Sequence, residues 1–233
     1  MEITWYGGGC VRLRGREGTI AADAYRSIVG PTGRGLTADI VTYSHADPEP
    51  LPVRGRAKGG AKRSAADGNG RAALPPTSLE SAFLLDGPGE YEVHDVLITG
   101  VRTFRDEQQG RERGDNVAFV FELDGLHVAH LGDLGHPLTE EMLGELGSVD
   151  VLCLPIAGNL NAARLAQVAA RVDANLIVPL AVSDDEAHVR AEMGRFLHEM
   201  GVQDPAAQPK LTVTPSSVPQ ETTLVLLESR AKV

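Results

Sequence analysis

The pattern of apolar residues changes at about residue 135, and this change limits the folds that the chain can adopt. Before that point, short apolar segments are separated by turn residues, as in "EITWY", "CVRLR" and "NVAFVFEL", which is typical of successive β-strands. After it, segments with apolar residues at helical spacing alternate with the continuous apolar runs "VDVLCLPI" and "NLIVPLAV". The sequence therefore predicts an α/β protein with a β-rich first part and a helix–strand second part.

Local signals indicate where several of these elements begin and end. The pair Asp124–Gly125 predicts a tight hairpin turn, and a second turn near His94–Asp95 divides a long apolar stretch into two strands. Ser183 and Glu186 have the spacing of a capping box, which predicts the start of the last long helix. Residues 203–220 are rich in Pro and Gln and are expected to form a loose connection before a final strand, "TTLVLLE".

Length and charge limit the number of domains and the kinds of partner that the chain is expected to have. With 233 residues the chain is predicted to form a single domain, 1–233. The net charge is −10, although residues 51–73 carry six basic side chains against one acid. This stretch is predicted to belong to a flexible basic insertion at about 51–80. Nucleic acid is not an expected partner, because the rest of the chain is strongly acidic and the insertion has no aromatic residues.

The compartment is predicted from what the sequence lacks. No apolar run is long enough to cross a membrane, and the first residues do not have the pattern of a signal peptide. The two cysteines, Cys10 and Cys153, are too few for a disulfide framework, and both lie in apolar strand-like sequence. We therefore expect a cytoplasmic protein with buried free thiols.

Polar residues that could form a site follow several of the predicted strands. Aspartate, histidine and glutamate residues after a strand can converge at one edge of an α/β sheet, where such folds place their ligand groups. A single histidine in a loop more often stabilises the loop than binds a ligand. Supporting the loop is therefore an alternative role for His130 and for His136. The candidate pocket residues are Asp23, His45, Asp47, Glu49, Arg105, Asp133 and His136.

Blocks of the sequence resemble a known family and occur in the family's order. They cover most of residues 2–182 and include "ITWYGGGCVRLRGREGTIAADAY", "ADIVTYSHADPEP", "GPGEYEV", "HLGDLGH", "GSVDVLCLPIAG" and "ANLIVPLAV". The chain is similar in these blocks to small metal-dependent hydrolases of the metallo-β-lactamase superfamily. The resemblance implies a four-layer αββα sandwich, in which two sheets pack face to face and helices cover both outer faces.

The resemblance also implies a metal centre, most of whose ligands are replaced in this chain. The family pattern is His-x-His-x-Asp-His with two later histidines and a bridging aspartate, which together hold two metal ions that activate water. His45 and Asp133 match this pattern, and Asp23 matches a residue that supports the ligand loop. The replaced positions carry Asp47, Glu49, Pro50, Arg105 and Ala181, and the early Gly-His-Ser is changed to leave Gly8 and Gly9.

Two functions remain open after this comparison of ligands, and weak association with nucleic acid through residues 54–71 is a third possibility. The first is a protein without the dinuclear zinc centre, non-catalytic or altered in activity, in which Arg105 forms ion pairs with Asp47, Glu49 and Asp133. A small-molecule ligand is compatible with this function. The second is a hydrolase with a single divalent metal, Zn, Mn or Fe, held by His45, Asp47 and Asp133.

Overall fold

The computed structural model describes residues 1–46, 75–203 and 205–230. Within these ranges, the first part of the chain forms nine strands and one short helix. The strands are β1 (Glu2–Gly7), β2 (Cys10–Arg14), β3 (Thr19–Ala22), β4 (Ile40–Thr42), β5 (Phe83–Leu85), β6 (Gly89–Val93), β7 (Val96–Phe104), β8 (Asp115–Leu123) and β9 (Leu126–His130). The helix α1 (Arg26–Val29) lies between β3 and β4.

Helices and strands alternate in the second part, as the sequence predicts. The elements are α2 (Glu140–Leu146), β10 (Val151–Ile156), α3 (Ala162–Val172), β11 (Leu176–Ala181), α4 (Glu186–Glu199), β12 (Leu211–Thr212) and β13 (Thr223–Leu224). Short 3₁₀ turns lie at Gly33–Gly35, Thr77–Leu79 and Pro215–Ser217.

The strands form two mixed sheets. The first sheet has the order β12-β1-β2-β3-β4-β5, and the second has the order β13-β11-β10-β9-β8-β7-β6. Strands β3 and β4 are parallel, and so are β9, β10 and β11, whereas β8 runs antiparallel to both β7 and β9. The carboxyl ends of β3, β4, β7, β9, β10 and β11 therefore lie on the same side of their sheets, and the polar residues that follow them are placed there.

The core has three layers of side chains, which explains the continuous apolar sequence of the central strands. One layer lies between the sheets and includes Ile3, Leu13 and Phe121. The second layer packs the other face of the second sheet against α2, α3 and α4, and the third packs the outer face of the first sheet against α1. This is the four-layer order, helix–sheet–sheet–helix, that the sequence predicts.

The predicted turns and thiols agree with the structure. His94 and Asp95 both have positive φ and join β6 to β7, and Asp124 and Gly125 do the same between β8 and β9. Cys10 and Cys153 are buried free thiols, and burial raises the pKa of Cys153 to about 12.

Three predictions about the C-terminal part were wrong in detail. Asp185, rather than Ser183, caps α4, because its Oδ1 accepts the N–H groups of Ala187 and His188. The segment 203–220 contains β12, which pairs with β1, so it is not simply a loose connection. The final strand is reduced to the two residues of β13 and a bridge between Gln208 and Leu227.

Some predictions concern residues outside those described. The six basic side chains of the predicted insertion, Arg54 to Arg71, all lie there, so their role and the prediction about nucleic acid stay predictions. Among the described residues, no helix is both long and apolar enough to cross a membrane.

Candidate functional site

The candidate site lies where loops from both sheets meet. The backbone N–H of Val117, near the start of β8, donates a hydrogen bond of 2.7 Å to the carbonyl oxygen of Ser44 after β4. Glycine is required nearby, because a Cβ at Gly132 would lie 2.3 Å from the Cβ of Ser44. The "SH" loop of the first sheet and the "HLGDLGH" loop of the second are therefore in direct contact.

Asp23 holds the loop that follows β4. The residue is 1% exposed, and its backbone adopts a φ of 49°, a conformation that aspartate tolerates better than most residues. Oδ1 accepts the N–H of Ser44 at 2.7 Å, and Oδ2 accepts the hydroxyl of Ser44 at 2.6 Å. Both carboxylate oxygens thus fix the residue that precedes His45, which is the supporting position implied for Asp23 by the family resemblance.

The ring of His45 is oriented through Ser44. Nδ1 of His45 lies 2.8 Å from Oγ of Ser44, whose hydrogen is donated to Asp23. Because that hydroxyl is already committed as a donor, Nδ1 must carry a hydrogen and donate it. In the neutral ring the lone pair is then on Nε2, the tautomer that metal-ligating histidines commonly adopt.

Tyr25 fixes the backbone of His45. Its hydroxyl donates to the carbonyl oxygen of His45 at 2.5 Å and accepts the N–H of the same residue at 3.0 Å. Burial, together with the nearby charge of Asp23, raises the pKa of Tyr25, so the phenol stays protonated and able to donate. Sequence reasoning missed Tyr25, because nothing local to "DAY" indicates a contact 20 residues away.

Arg105 and Asp133 form an ion pair at the ends of β7 and β9. Nε of Arg105 lies 2.7 Å from Oδ2 of Asp133, and the two side chains are 24% and 16% exposed. Nη1 of Arg105 donates to the carbonyl oxygen of Arg113 at 3.1 Å. The guanidinium is therefore held on both sides, and its charge is directed at the carboxylate that matches the family's bridging aspartate.

Asn116 positions the backbone of Asp133. It is fully buried, and its Nδ2 donates to Oγ1 of Thr103 at 2.7 Å and to the carbonyl oxygen of Leu131 at 2.9 Å. Its Oδ1 accepts the N–H of Asp133 at 2.9 Å. One amide thus connects three backbone or side-chain groups around the ion pair. A lone asparagine in the apolar strand "DNVAFVFEL" is the sequence signal that could have indicated this role.

A tight loop holds Arg113 against Arg105. Both oxygens of Asp106 accept backbone N–H groups, from Gln108 and Gly110 on one side and from Glu112 and Arg113 on the other, at 2.6–3.1 Å. Partial desolvation by itself raises the pKa of Asp106, but the four donors outweigh it and hold the pKa below its ordinary value. The side chain of Arg113 also donates to Oδ1 of Asn159.

Both ring nitrogens of each histidine in "HLGDLGH" are hydrogen-bonded. Nε2 of His136 accepts the N–H of Phe104 at 3.0 Å, and its Nδ1 lies 2.7 Å from the carbonyl oxygen of Pro137. Nε2 of His130 lies 2.8 Å from the carbonyl oxygen of Gly9, and its Nδ1 accepts the N–H of Gly132 at 3.3 Å. Because the ring nitrogens are hydrogen-bonded to backbone groups, both residues are better suited to support their loop than to bind a metal ion.

A sequence model of the β-lactamase superfamily domain matches residues 2–181. The chain belongs to the metallo-β-lactamase superfamily. It is 28% identical to a crystal structure from Thermotoga maritima that is classed as a Zn-dependent hydrolase of this superfamily. That match has a TM-score of 0.72 and covers 98% of this chain and 99% of the other. The αββα sandwich is therefore confirmed.

Two further relatives extend the comparison within the superfamily. A metal-dependent hydrolase from Methanoregula boonei is 27% identical over 187 residues, which are 77% of this chain and 81% of the relative. An isothiocyanate hydrolase from Delia radicum gut bacteria is 15% identical, with a TM-score of 0.60 and coverage of 92% and 100%, and shares the fold. The chain is thus a metallo-β-lactamase-fold protein related to metal-dependent hydrolases.

Two described positions of the family's ligand pattern carry side chains that cannot bind a metal ion. Ala181, the last residue of β11, has no donor atom, and Arg105 brings a fixed positive charge with no lone pair to offer. Asp47, Glu49 and Pro50 lie outside the described residues. Within the described ranges, no three His, Cys, Asp or Glu side chains are grouped closely enough to hold a metal ion.

Proposed function

We propose that this protein is a non-hydrolytic member of the superfamily, in which an ion pair between Arg105 and Asp133 replaces the dinuclear metal centre. The contact of 2.7 Å between Nε of Arg105 and Oδ2 of Asp133 carries this proposal. In relatives with two metals, the bridging aspartate neutralises cations at the strand ends. Here a guanidinium is the cation, and it stays charged at every physiological pH.

The surroundings of the ion pair support a permanent rather than incidental contact. Arg105 is held from the other side by the carbonyl oxygen of Arg113, and a Cβ at Gly135 would lie 2.0 Å from the carbonyl oxygen of Arg105. The backbone of Asp133 is fixed by Asn116 and by Nδ2 of Asn159, which donates to its carbonyl oxygen at 3.0 Å. Both partners therefore start from fixed backbones, which reduces the entropy lost when the pair forms.

Such a site would bind a small ligand rather than hydrolyse one. The partly exposed Arg105 can contact an anionic or carbonyl-bearing molecule while Asp133 keeps it in place. Without an activated water, the fold would serve as a binding module.

Metal content is the direct test of this proposal. The full chain is purified, incubated with zinc, manganese or iron(II), desalted and analysed by mass spectrometry for metal per chain. We expect well under one equivalent, and the Arg105→His, Ala181→His double variant should retain more metal than the wild type. One or more tightly held equivalents in the wild type, lost in Asp133→Asn, would overturn the proposal.

A second candidate is a hydrolase with one divalent metal held by His45, Asp47 and Asp133. The orientation of His45 through Ser44 and Asp23 favours it, because this relay places the ring lone pair on Nε2. The fold would supply the ligand loop, and a bound metal would supply an activated water. The relatives described as metal-dependent hydrolases agree with this alternative.

Activity assays separate the two candidates. Generic phosphodiester and ester substrates are offered with each metal to the wild type, to His45→Ala and to the control His188→Ala, whose side chain is exposed on α4. The first proposal predicts equal background rates in all three. Metal-dependent turnover that disappears only in His45→Ala would establish the second.

A further inference from the structure

A second, strongly basic pocket lies on the outer face of the first sheet. It has a volume of about 490 Å³ and is lined by Tyr6, Arg12, Arg34, Gly35, Ser229 and Arg230. Val11 and Leu13 point into the core between the sheets, so Arg12 points outward from β2. The pocket shares no residue with the candidate site at the strand ends.

Two of the three arginines pack against the same aromatic ring. The guanidinium carbons of Arg12 and Arg230 each lie 5.8 Å from the ring centroid of Tyr6, a distance at which a cation interacts with the π-face. The N–H of Arg230 donates to the carbonyl oxygen of Trp5 at 3.0 Å, which fixes its backbone along β1. Tyr6 itself is 4% exposed, so its ring supports the arginines and is not accessible to a ligand.

Among the residues that the structure describes, Glu2 is the carboxylate that lies beside Arg12. Glu2 is 3.8 Å from Nη2 of Arg12, but its other oxygen is bound to Nζ of Lys210 at 2.7 Å. One carboxylate is therefore shared between two cations. In a chain with a net charge of −10, three guanidinium groups lining one cavity are a local reversal of sign.

Arg12 also has a donor that lacks a partner. Its side chain is 15% exposed, and Nε is a buried atom without a hydrogen-bond partner among the described residues. Because Nε is covered, a ligand in the cavity would contact Arg12 through the exposed part of its side chain.

We propose that this pocket binds a small phosphorylated molecule that carries at least two negative charges. Guanidinium groups bind phosphate through paired N–H donors, and the cavity volume falls in the range of small-molecule sites. The partly exposed side chain of Arg12 and the exposed side chain of Arg230 supply the N–H donors to the phosphoryl oxygens. Because the ring of Tyr6 is covered, recognition depends on charge and not on stacking of a base.

Pyrophosphate is the probe for this site. Binding is measured by calorimetry at constant ionic strength for the wild type and for Arg12→Gln, Arg230→Gln and Arg14→Gln. Arg14 lies on the same strand and is exposed but does not line the pocket, which makes it the matched control. We expect saturable binding by the wild type, about tenfold weaker binding for each of the first two variants, and wild-type binding for Arg14→Gln.

Several outcomes would overturn the proposal. They are no saturable binding by the folded wild type at millimolar pyrophosphate, binding that survives both Arg12→Gln and Arg230→Gln, and an equal loss in Arg14→Gln, which indicates non-specific attraction. Circular dichroism establishes that each variant is folded. If Arg12→Gln fails to fold, the exposed Arg230 still tests the proposal.

Discussion

The two halves of the candidate site differ in how much of a metal-binding arrangement they keep. The half from the first sheet is a chain of hydrogen bonds from the buried Asp23 and Ser44 to the partly buried His45, which it orients as a metal ligand would be oriented. The half from the second sheet, Arg105 and Asp133, is a partly exposed ion pair. The supporting geometry has therefore persisted on one side, while on the other a side-chain cation stands beside the aspartate.

If the proposed function is correct, the scaffold of such a site has been kept although its ligands have been replaced. Asp23 and Asn116 act on backbone groups, so they stabilise the fold whether or not a metal binds. Arg105 acts on the charge of one carboxylate, so it bears on the chemistry of the pocket as well as on stability. Each half can be disturbed separately, and the expected effects decrease in the following order.

The largest effect is expected where the two halves touch. Gly132→Ala places a Cβ 2.3 Å from Ser44 and 2.6 Å from Oδ1 of Asn116, at a φ of 62°. We expect the free energy of unfolding to fall by about 3–4 kcal/mol, because steric overlap adds to backbone strain. Urea denaturation measures it. In the control, Gly144→Ala on α2, the new Cβ meets no atom within 4 Å, so stability should be unchanged or higher. A Gly132→Ala variant as stable as the wild type would contradict the described contact between the loops.

The second largest effect is expected for the hydrogen bonds between Asp23 and Ser44. Asp23→Ala leaves the N–H and hydroxyl of Ser44 buried without their acceptor, and we expect a loss of about 2–3 kcal/mol in the free energy of unfolding. Asp39→Ala is the control, because it removes a single exposed hydrogen bond to Thr19 and should cost well under half as much. Equal losses in the free energy of unfolding of the two variants would show that the hydrogen bonds between Asp23 and Ser44 contribute no more than a single exposed one.

A smaller effect is expected from the ion pair of the second half. Arg105→Met should lower the free energy of unfolding by about 1–2 kcal/mol at neutral pH, and high salt should reduce the difference. The matched control is Arg102→Met, whose 3.7 Å pair with Asp115 is exposed on both sides and should contribute less than about 0.5 kcal/mol. Identical thermal unfolding of the two variants would argue against a structural role for the Arg105–Asp133 pair.

The smallest effect concerns the loop that supports Arg105. Asp106 has a pKa below its ordinary value of 3.8, so its ionised form is favoured by folding. Its contribution is therefore complete above that value and is lost as the pH falls below about 4 towards the depressed pKa. Stability measured from pH 3 to pH 6 should decline less steeply in Asp106→Asn than in the wild type. If the stability of the two proteins declined equally as the pH falls, other carboxylates would be responsible for the acid sensitivity.

The sequence predicted those parts of the molecule that depend on local chemistry. The turns at His94–Asp95 and Asp124–Gly125 follow from residues that tolerate positive φ, and the central strands follow from unbroken apolar sequence. The cap of α4 was misassigned because Ser183 and Asp185, two residues apart, are both good capping residues. Asp185 is the cap because its carboxylate accepts two N–H groups at once. Strand β12 is only two residues long, and its pairing with β1 spans most of the chain.

The candidate site was predictable only in part, for a related reason. The residues that follow strands were identified, and the pairing of Arg105 with Asp133 is the contact that their charges predict. Asn116 and Tyr25 were missed, because each acts on backbone groups that lie far away in the sequence. Asp106 was missed although its partners follow it within seven residues. Asp47 and Glu49 lie outside the described residues, so their part in the pocket stays a prediction.

The buried amide of Asn116 has a consequence for engineering this fold. It anchors Thr103, Leu131 and Asp133 through neutral hydrogen bonds that do not depend on which charges face the pocket. New donor atoms introduced at positions 105 and 181 would therefore enter a frame whose backbone is already set. Side chains beside Asp133 can therefore be changed while the backbone that Asn116 holds stays in place.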